Sequence, residues 1–161
     1  MKKLNLFKAL CAIIMTLVIY SSCKKDDDFI QVTAFEKSIH DAINEHRVSV
    51  GKPEMILSFI MMDDAKSYST KMANNSVEFG TEGLAADLQT LKSNLAATSA
   101  GAWVATCQYE NADSVMKIVL NNAEVKTTIE STFNQSAVGA VKSSDGIYFI
   151  THLLLYIPPK N

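Results

Sequence analysis

Apolar residues recur along this chain at two spacings, and the switches between them set out its elements. Phe35, Ile39, Ala42 and Ile43 repeat at the spacing of one helix face, and Gly51 with Pro53 predicts the end of that helix. Ser58 is placed to cap a second helix, whose stripe is Met61, Ala65, Tyr68 and Met72. Gly80 and Gly83 mark 76–83 as a loop. Leu84, Leu88, Leu91 and Leu95 predict a third helix. Trp103, Ala105, Cys107 and Tyr109 alternate with Val104 and Thr106, which predicts a strand. Ala112, Val115, Met116 and Val119 predict the next helix, and a further helical turn carries Val125 and Ile129. The Met and Leu stripes are expected to be core, not ligand-binding boxes.

The chain closes on two apolar runs, 137–141 and 147–157, joined by Ser143-Ser144-Asp145-Gly146, a hairpin signal. The last run is apolar at odd and even positions alike, so both faces of that strand must be covered. Helices on both sides of a small, mainly antiparallel sheet meet that demand. The expected class is α+β, an α-β-α sandwich, and no internal repeat is present.

The N-terminal pattern is different. Lys2, Lys3 and Lys8 precede the apolar run 9–20, which is shorter than the ~20 residues that span a bilayer and suits a signal peptide. Ser21, Ser22 and Cys23 then resemble a bacterial lipobox, which implies cleavage after residue 22 and acylation of Cys23. Several acyl chains on one residue anchor a protein stably where one does not. An ordinary secretory signal with an incidental cysteine is the alternative. Lys24-Lys25-Asp26-Asp27-Asp28 is expected to act as a solvated tether, and it resembles the lysine-plus-acidic export signal of Bacteroidetes surface lipoproteins. The expected organisation is thus a signal peptide at 1–22, a lipidated cysteine and tether at 23–31, a domain at 32–157 and a tail at 158–161. Display on the cell surface is expected over the periplasm.

Removing 1–22 leaves 139 residues, enough for one domain with a sizeable core, and takes the formal net charge from −2 to −5. No basic patch suited to nucleic acid is visible. Cys107 is left without a partner, so the domain must rely on its core, and Cys107 reads as a buried hydrophobe more than as a nucleophile.

Several words then point to a family. Ile43-Asn44-Glu45-His46-Arg47, Gly51-Lys52-Pro53 and Leu57-Ser58 resemble the opening of CAP domains, which include cysteine-rich secretory and SCP-like proteins. Val138-Gly139-Ala140-Val141 and Tyr148-Phe149-Ile150-Thr151 resemble the paired final strands of that family. The resemblance covers about 32–157 and implies the same α-β-α sandwich. It also implies a central groove in which two histidines and a glutamate can hold a divalent metal.

At the three matching positions this chain departs from the pattern. Phe79-Gly80-Thr81-Glu82-Gly83 has Thr81 where the first histidine belongs. Gly101-Ala102-Trp103-Val104-Ala105 has Ala102 in place of the glutamate, and Ala123-Glu124-Val125 has Glu124 in place of the second histidine. A threonine offers a weak neutral oxygen and an alanine offers none, so no metal site, no other cofactor and no catalytic residue is expected.

The remaining histidines could rebuild a site only by convergence. His40 and His46 lie six apart on one helix, on different sides of its axis. His40 is expected to pair on the surface with Glu36, and His46 to be structural. His152 is expected to be a hydrogen-bonded core residue, with a place lining the groove as the alternative; Glu82 is a second candidate lining residue. Two functions follow: a non-enzymatic, lipid-anchored envelope module that binds a small molecule, glycan or protein, or a hydrolase rearranged around Glu124, Glu82 and His152.

Overall fold

The first helix, α1 (Ala34–Ser49), begins in a reciprocal cap. Thr33 Oγ1 accepts the N–H of Glu36 at 3.1 Å, and Glu36 Oε2 accepts the N–H of Thr33 at 2.8 Å. Its apolar stripe, Phe35, Ile39 and Ile43, is buried. The helix stops before Gly51, which holds φ at +75°. These coordinates come from a computed structural model that describes residues 31–159. The signal segment, Cys23, and residues 24–30 of the tether lie outside the described residues, as do 160 and 161.

After α1 come β1 (Ile56–Leu57), α2 (Phe59–Ala73), a 3-10 turn (Glu82–Leu84) and α3 (Ala85–Asn94). Then follow β2 (Ser99–Cys107), α4 (Ala112–Asn121), α5 (Ala123–Ile129), β3 (Gln135–Lys142) and β4 (Tyr148–Tyr156). The strands form one sheet in the order β1-β3-β4-β2. β4 pairs antiparallel with β3 and β2, setting Val138 and Trp103 on either side of His152. β1 adds a two-residue parallel rung, with Ile56 opposite Gln135 and Leu57 opposite Ser136.

Alternation along the strands divides the core in two. Trp103, Ala105, Cys107, Val138, Ile150 and Leu154 pack with α1, α4 and α5. Ala137, Leu153 and Leu155 pack with α2 and α3 on the other face. This is the expected α-β-α sandwich, with β4 covered on both sides. α2 approaches the sheet closely at Gly139, where an added Cβ would lie 2.4 Å from the backbone of Ala65 and Lys66. Ser69 donates to the Gly139 carbonyl at 2.9 Å and shares a 2.8 Å hydrogen bond with Thr151.

Three local expectations change. Ser58 stands at the N-cap of α2, but its side chain makes no capping bond. β2 starts four residues before the expected Trp103 and ends at Cys107, leaving Tyr109 exposed outside the strand. The small residues Ala100, Gly101 and Ala102 hid its beginning. The third concerns His40 and Glu36, which form no surface pair because both are buried. Besides closing the cap, Glu36 accepts the N–H of Ala140 at 3.1 Å and pairs with Lys66 at 3.2 Å. His40 meets Ser136 Oγ through Nδ1 at 3.0 Å and Asn44 Nδ2 through Nε2 at 3.1 Å. The Asn44 amide is oriented by the N–H and C=O of Met55, both at 2.9 Å. Its nitrogen must therefore donate to His40, which fixes the neutral tautomer protonated on Nδ1.

Arg47 is the largest fully buried side chain and has no carboxylate partner among the described residues. It donates instead to the carbonyls of Pro53 (2.9 Å), Ile129, Ser131 (2.9 Å) and Phe133 (3.0 Å). One guanidinium thus ties α1 to the end of α5 and to the segment that enters β3. His46, one residue earlier, bonds Glu130 Oε1 at 2.8 Å, a structural tie at the same junction.

Candidate functional site: a cleft on the free edge of the sheet

Among the described residues β2 is an edge strand, hydrogen-bonded to β4 on one side and to no strand on the other. A cleft of about 190 Å³ runs along that free edge. One wall is the loop carrying Gly80, Thr81 and Glu82; the floor is Ala102, Trp103 and Val104; the opposite wall is Glu124, Val125 and Thr128 of α5. Residues 81, 102 and 124, which lie far apart in sequence, therefore share one site, with Glu82 beside them.

Each wall is held by named contacts. Tyr68 of α2 donates to the Gly80 carbonyl at 3.0 Å, and its hydroxyl lies where a side chain at Gly83 would begin, 2.8 Å from a notional Cβ. The Glu82 carboxylate folds over Gly80, where a Cβ would stand 2.1 Å from Oε2. Across the cleft, Asn122 caps α5 by accepting the N–H of Glu124 at 3.0 Å and of Val125 at 3.1 Å. The Thr128 hydroxyl is spent on the Glu124 carbonyl at 2.9 Å. Phe133 packs over Gly101, its ring 2.9 Å from a notional Cβ there, next to Thr128.

His152 does not line this cleft. It is fully buried and meets Trp103 edge-on, with ring centroids 5.1 Å apart and an interplanar angle of 67°. Neither of its ring nitrogens has a hydrogen-bond partner among the described residues, nor does Trp103 Nε1, so the expected hydrogen-bonded core histidine is a core histidine without its bond. Burial first, and then the charges of His40 and Arg47, lower its pKa to about 3. A neutral imidazole behind an indole cannot serve as a base in the cleft. Cys107 is equally unsuited to nucleophilic work. Burial raises its pKa, and Sγ donates to the Tyr109 carbonyl at 3.3 Å.

The chemistry of the cleft is therefore two carboxylates, one free hydroxyl and an apolar floor. A divalent cation of the kind the CAP resemblance implies needs several convergent nitrogen or carboxylate ligands. Ala102 offers a methyl group and Thr81 a neutral oxygen. Among the described residues no group of three His, Cys, Asp or Glu side chains is arranged to hold a metal. The residues present do not fit the ion.

Sequence reading missed Gly80, Trp103, Val104, Val125 and Thr128 as lining residues. Strand alternation sets Trp103 and Ala102 on opposite faces, and both reach the cleft only because it opens at the strand edge. Nothing in the periodicity says which strand is an edge. A second cavity, of about 470 Å³ and mostly apolar, lies between Lys52, Pro53, Phe133, Asn134 and Tyr156, beside the segment that Arg47 clamps.

The fold has counterparts among solved structures. An outer surface protein of Borrelia burgdorferi superposes with a TM-score of 0.67 at 17% identity, covering 80% of this chain and 97% of that one. An extracellular protein containing an SCP domain from Bacillus anthracis gives 0.62 at 18% identity, over 84% of this chain and 45% of the other. A cysteine-rich secretory protein from Staphylococcus aureus gives 0.57 at 16%, over 75% and 38%. This chain spans less than half of the last two. No protein-family model matches the sequence, and no curated protein matches it either. The chain has the CAP/SCP-like fold.

Proposed function

We propose that this protein is an exported, lipid-anchored module of the cell envelope that binds a ligand or partner at the β2-edge cleft and has no catalytic activity. The observation that carries this reading is the content of the cleft. Thr81, Ala102, Glu82 and Glu124 meet there, and the histidine on the last strand is sealed behind Trp103. Carboxylates and a hydroxyl beside an indole suit hydrogen-bond donors such as sugar hydroxyls or peptide N–H groups. At about 190 Å³ the cleft is smaller than the ~300–1,000 Å³ of drug-sized ligand sites, so it fits one residue or ring of a larger partner laid along the strand edge.

Export is supported by the basic start, the short apolar run and the lipobox-like approach to Cys23. It is also supported by the extracellular and outer-surface descriptions of the structural counterparts. Outer-membrane anchoring through Cys23, with the domain on the outer face, belongs to this proposal. The hydrolase alternative loses His152 and keeps only Glu82 and Glu124, which share the cleft as two carboxylates.

The test is capture of envelope components by the wild-type chain and by an Ala102→Phe variant that fills the cleft floor. Specific capture by the wild type, lost in the variant while its thermal unfolding is unchanged, supports the reading. Turnover of a glycan or ester substrate that disappears with Glu82→Gln or Glu124→Gln would favour the hydrolase.

A further inference from the structure

β1 and the first turn of α2 carry an apolar surface that the cleft does not use. Within five consecutive residues Ile56, Phe59 and Ile60 are 65%, 56% and 68% exposed. Single exposed apolar residues are ordinary, but three adjoining large ones mark a contact surface. β1 is only two residues long, so its edge is a poor template for an added strand.

The path of the chain indicates what meets this surface. Gln31 is the first described residue, and its carbonyl accepts a hydrogen bond from Lys66 Nζ of α2. Phe59 lies seven residues before Lys66, which places it on the same side of the helix about 10 Å along the axis. Between Cys23 and Gln31 the chain can extend by no more than about 28 Å. A chain anchored at Cys23 therefore keeps Gln31 within about 28 Å of the bilayer, and the patch begins the helix to which Gln31 is bonded. Over residues 52–64 the charges are Lys52 against Glu54, Asp63 and Asp64, which disfavours an anionic surface and suits zwitterionic headgroups.

We infer that Ile56, Phe59 and Ile60 seat the domain on the lipid surface to which Cys23 anchors it, fixing its orientation there. The inference rests on the anchoring proposed above. Three side chains in the headgroup layer add little to the affinity of an acylated chain, so the readout is depth and not binding.

The experiment uses the full chain, purified from membranes and reconstituted through its own anchor into phosphatidylcholine vesicles with brominated acyl chains. Phe59→Trp provides a reporter on the patch. Lys117→Trp provides one at an exposed site on α4, across the sheet, and the buried Trp103 is common to both. Emission from the Phe59→Trp protein should fall about twofold relative to non-brominated vesicles, as for a ring ~5–10 Å into the interface, while that of Lys117→Trp stays unchanged. Equal emission changes in both variants, with an acylated N-terminus confirmed by mass spectrometry, would overturn the docking and leave the anchor intact. Absence of quenching together with a dimer in solution would overturn it by giving the patch to a second copy. An unacylated N-terminus would refute the anchor, and the docking with it.

Discussion

The imidazole of His152 and the indole of Trp103 meet edge-on at 5.1 Å, and this contact separates the histidine of the last strand from the cleft. All three of their ring nitrogens are buried without a hydrogen bond among the described residues. Burial of His152 makes stability depend on pH in a definite direction. With its folded-state pKa lowered to about 3 against 6.5 for the free side chain, His152 binds a proton more readily in the unfolded chain. Its contribution is intact above pH 6.5 and is lost as pH falls from 6.5 towards 3. Each such group gives a slope of up to ~1.4 kcal/mol per pH unit. Burial also lowers the pKa of His40, so it acts in the same direction. Urea unfolding between pH 4.5 and 7.5 should show this loss, and His152→Leu should flatten the curve without costing stability at pH 7.5. An unchanged slope in the variant would mean that His152 is solvated or bonded.

Arg47 is expected to be the most sensitive single position. Removing it leaves the carbonyls of Pro53, Ile129, Ser131 and Phe133 without their donor. Leaving a buried carbonyl without its donor costs about 1–3 kcal/mol, so losing several at once removes a large fraction of the stability of a domain this size. Arg47→Met keeps the volume and should be nearly as harmful as Arg47→Ala, because the loss is of hydrogen bonds and not of packing. Chemical denaturation of the two variants decides this; a loss below about 1 kcal/mol would show that the clamp is dispensable.

The proposed anchoring rests on Cys23. If it holds, Cys23→Ala should leave the protein in a soluble or uncleaved pool, whereas the wild type should fractionate with membranes. Protease added to intact cells should remove the wild-type domain. A normally processed, membrane-bound variant would contradict the anchor, and protection until the outer membrane is opened would place the domain in the periplasm.

Much of the sandwich was legible in the sequence because its signals are local. The stripes of α1 and α2 and the hairpin at Asp145-Gly146 each depend on spacing over a few residues. β1 was not legible, since two residues show no alternation and their strand exists only through pairing with Gln135 and Ser136. The burial of Glu36 was hidden too. An i,i+4 Glu–His pair looks like a surface pair until β3 brings the N–H of Ala140 to the carboxylate. In the cleft, the family words pointed to residues 81, 102 and 124, but the part of Trp103 in the floor depends on β2 being an edge. His152 follows the parity of its strand correctly, yet parity could not show that an indole would cover it.

Thr81, Ala102 and Glu124 do not make a site for a divalent metal, and calorimetric titration of Zn²⁺ is the decisive measurement. The unmodified domain should bind no tighter than micromolar and show no zinc-dependent thermal shift. A ligand at 100 times its Kd stabilises by about 2.7 kcal/mol, a shift easily seen in a domain this size. Thr81→His, Ala102→Glu and Glu124→His combined should restore tight binding, because these positions converge on one cleft. Tight zinc binding by the unmodified domain, abolished by Glu124→Ala, would show that the cleft does hold a metal.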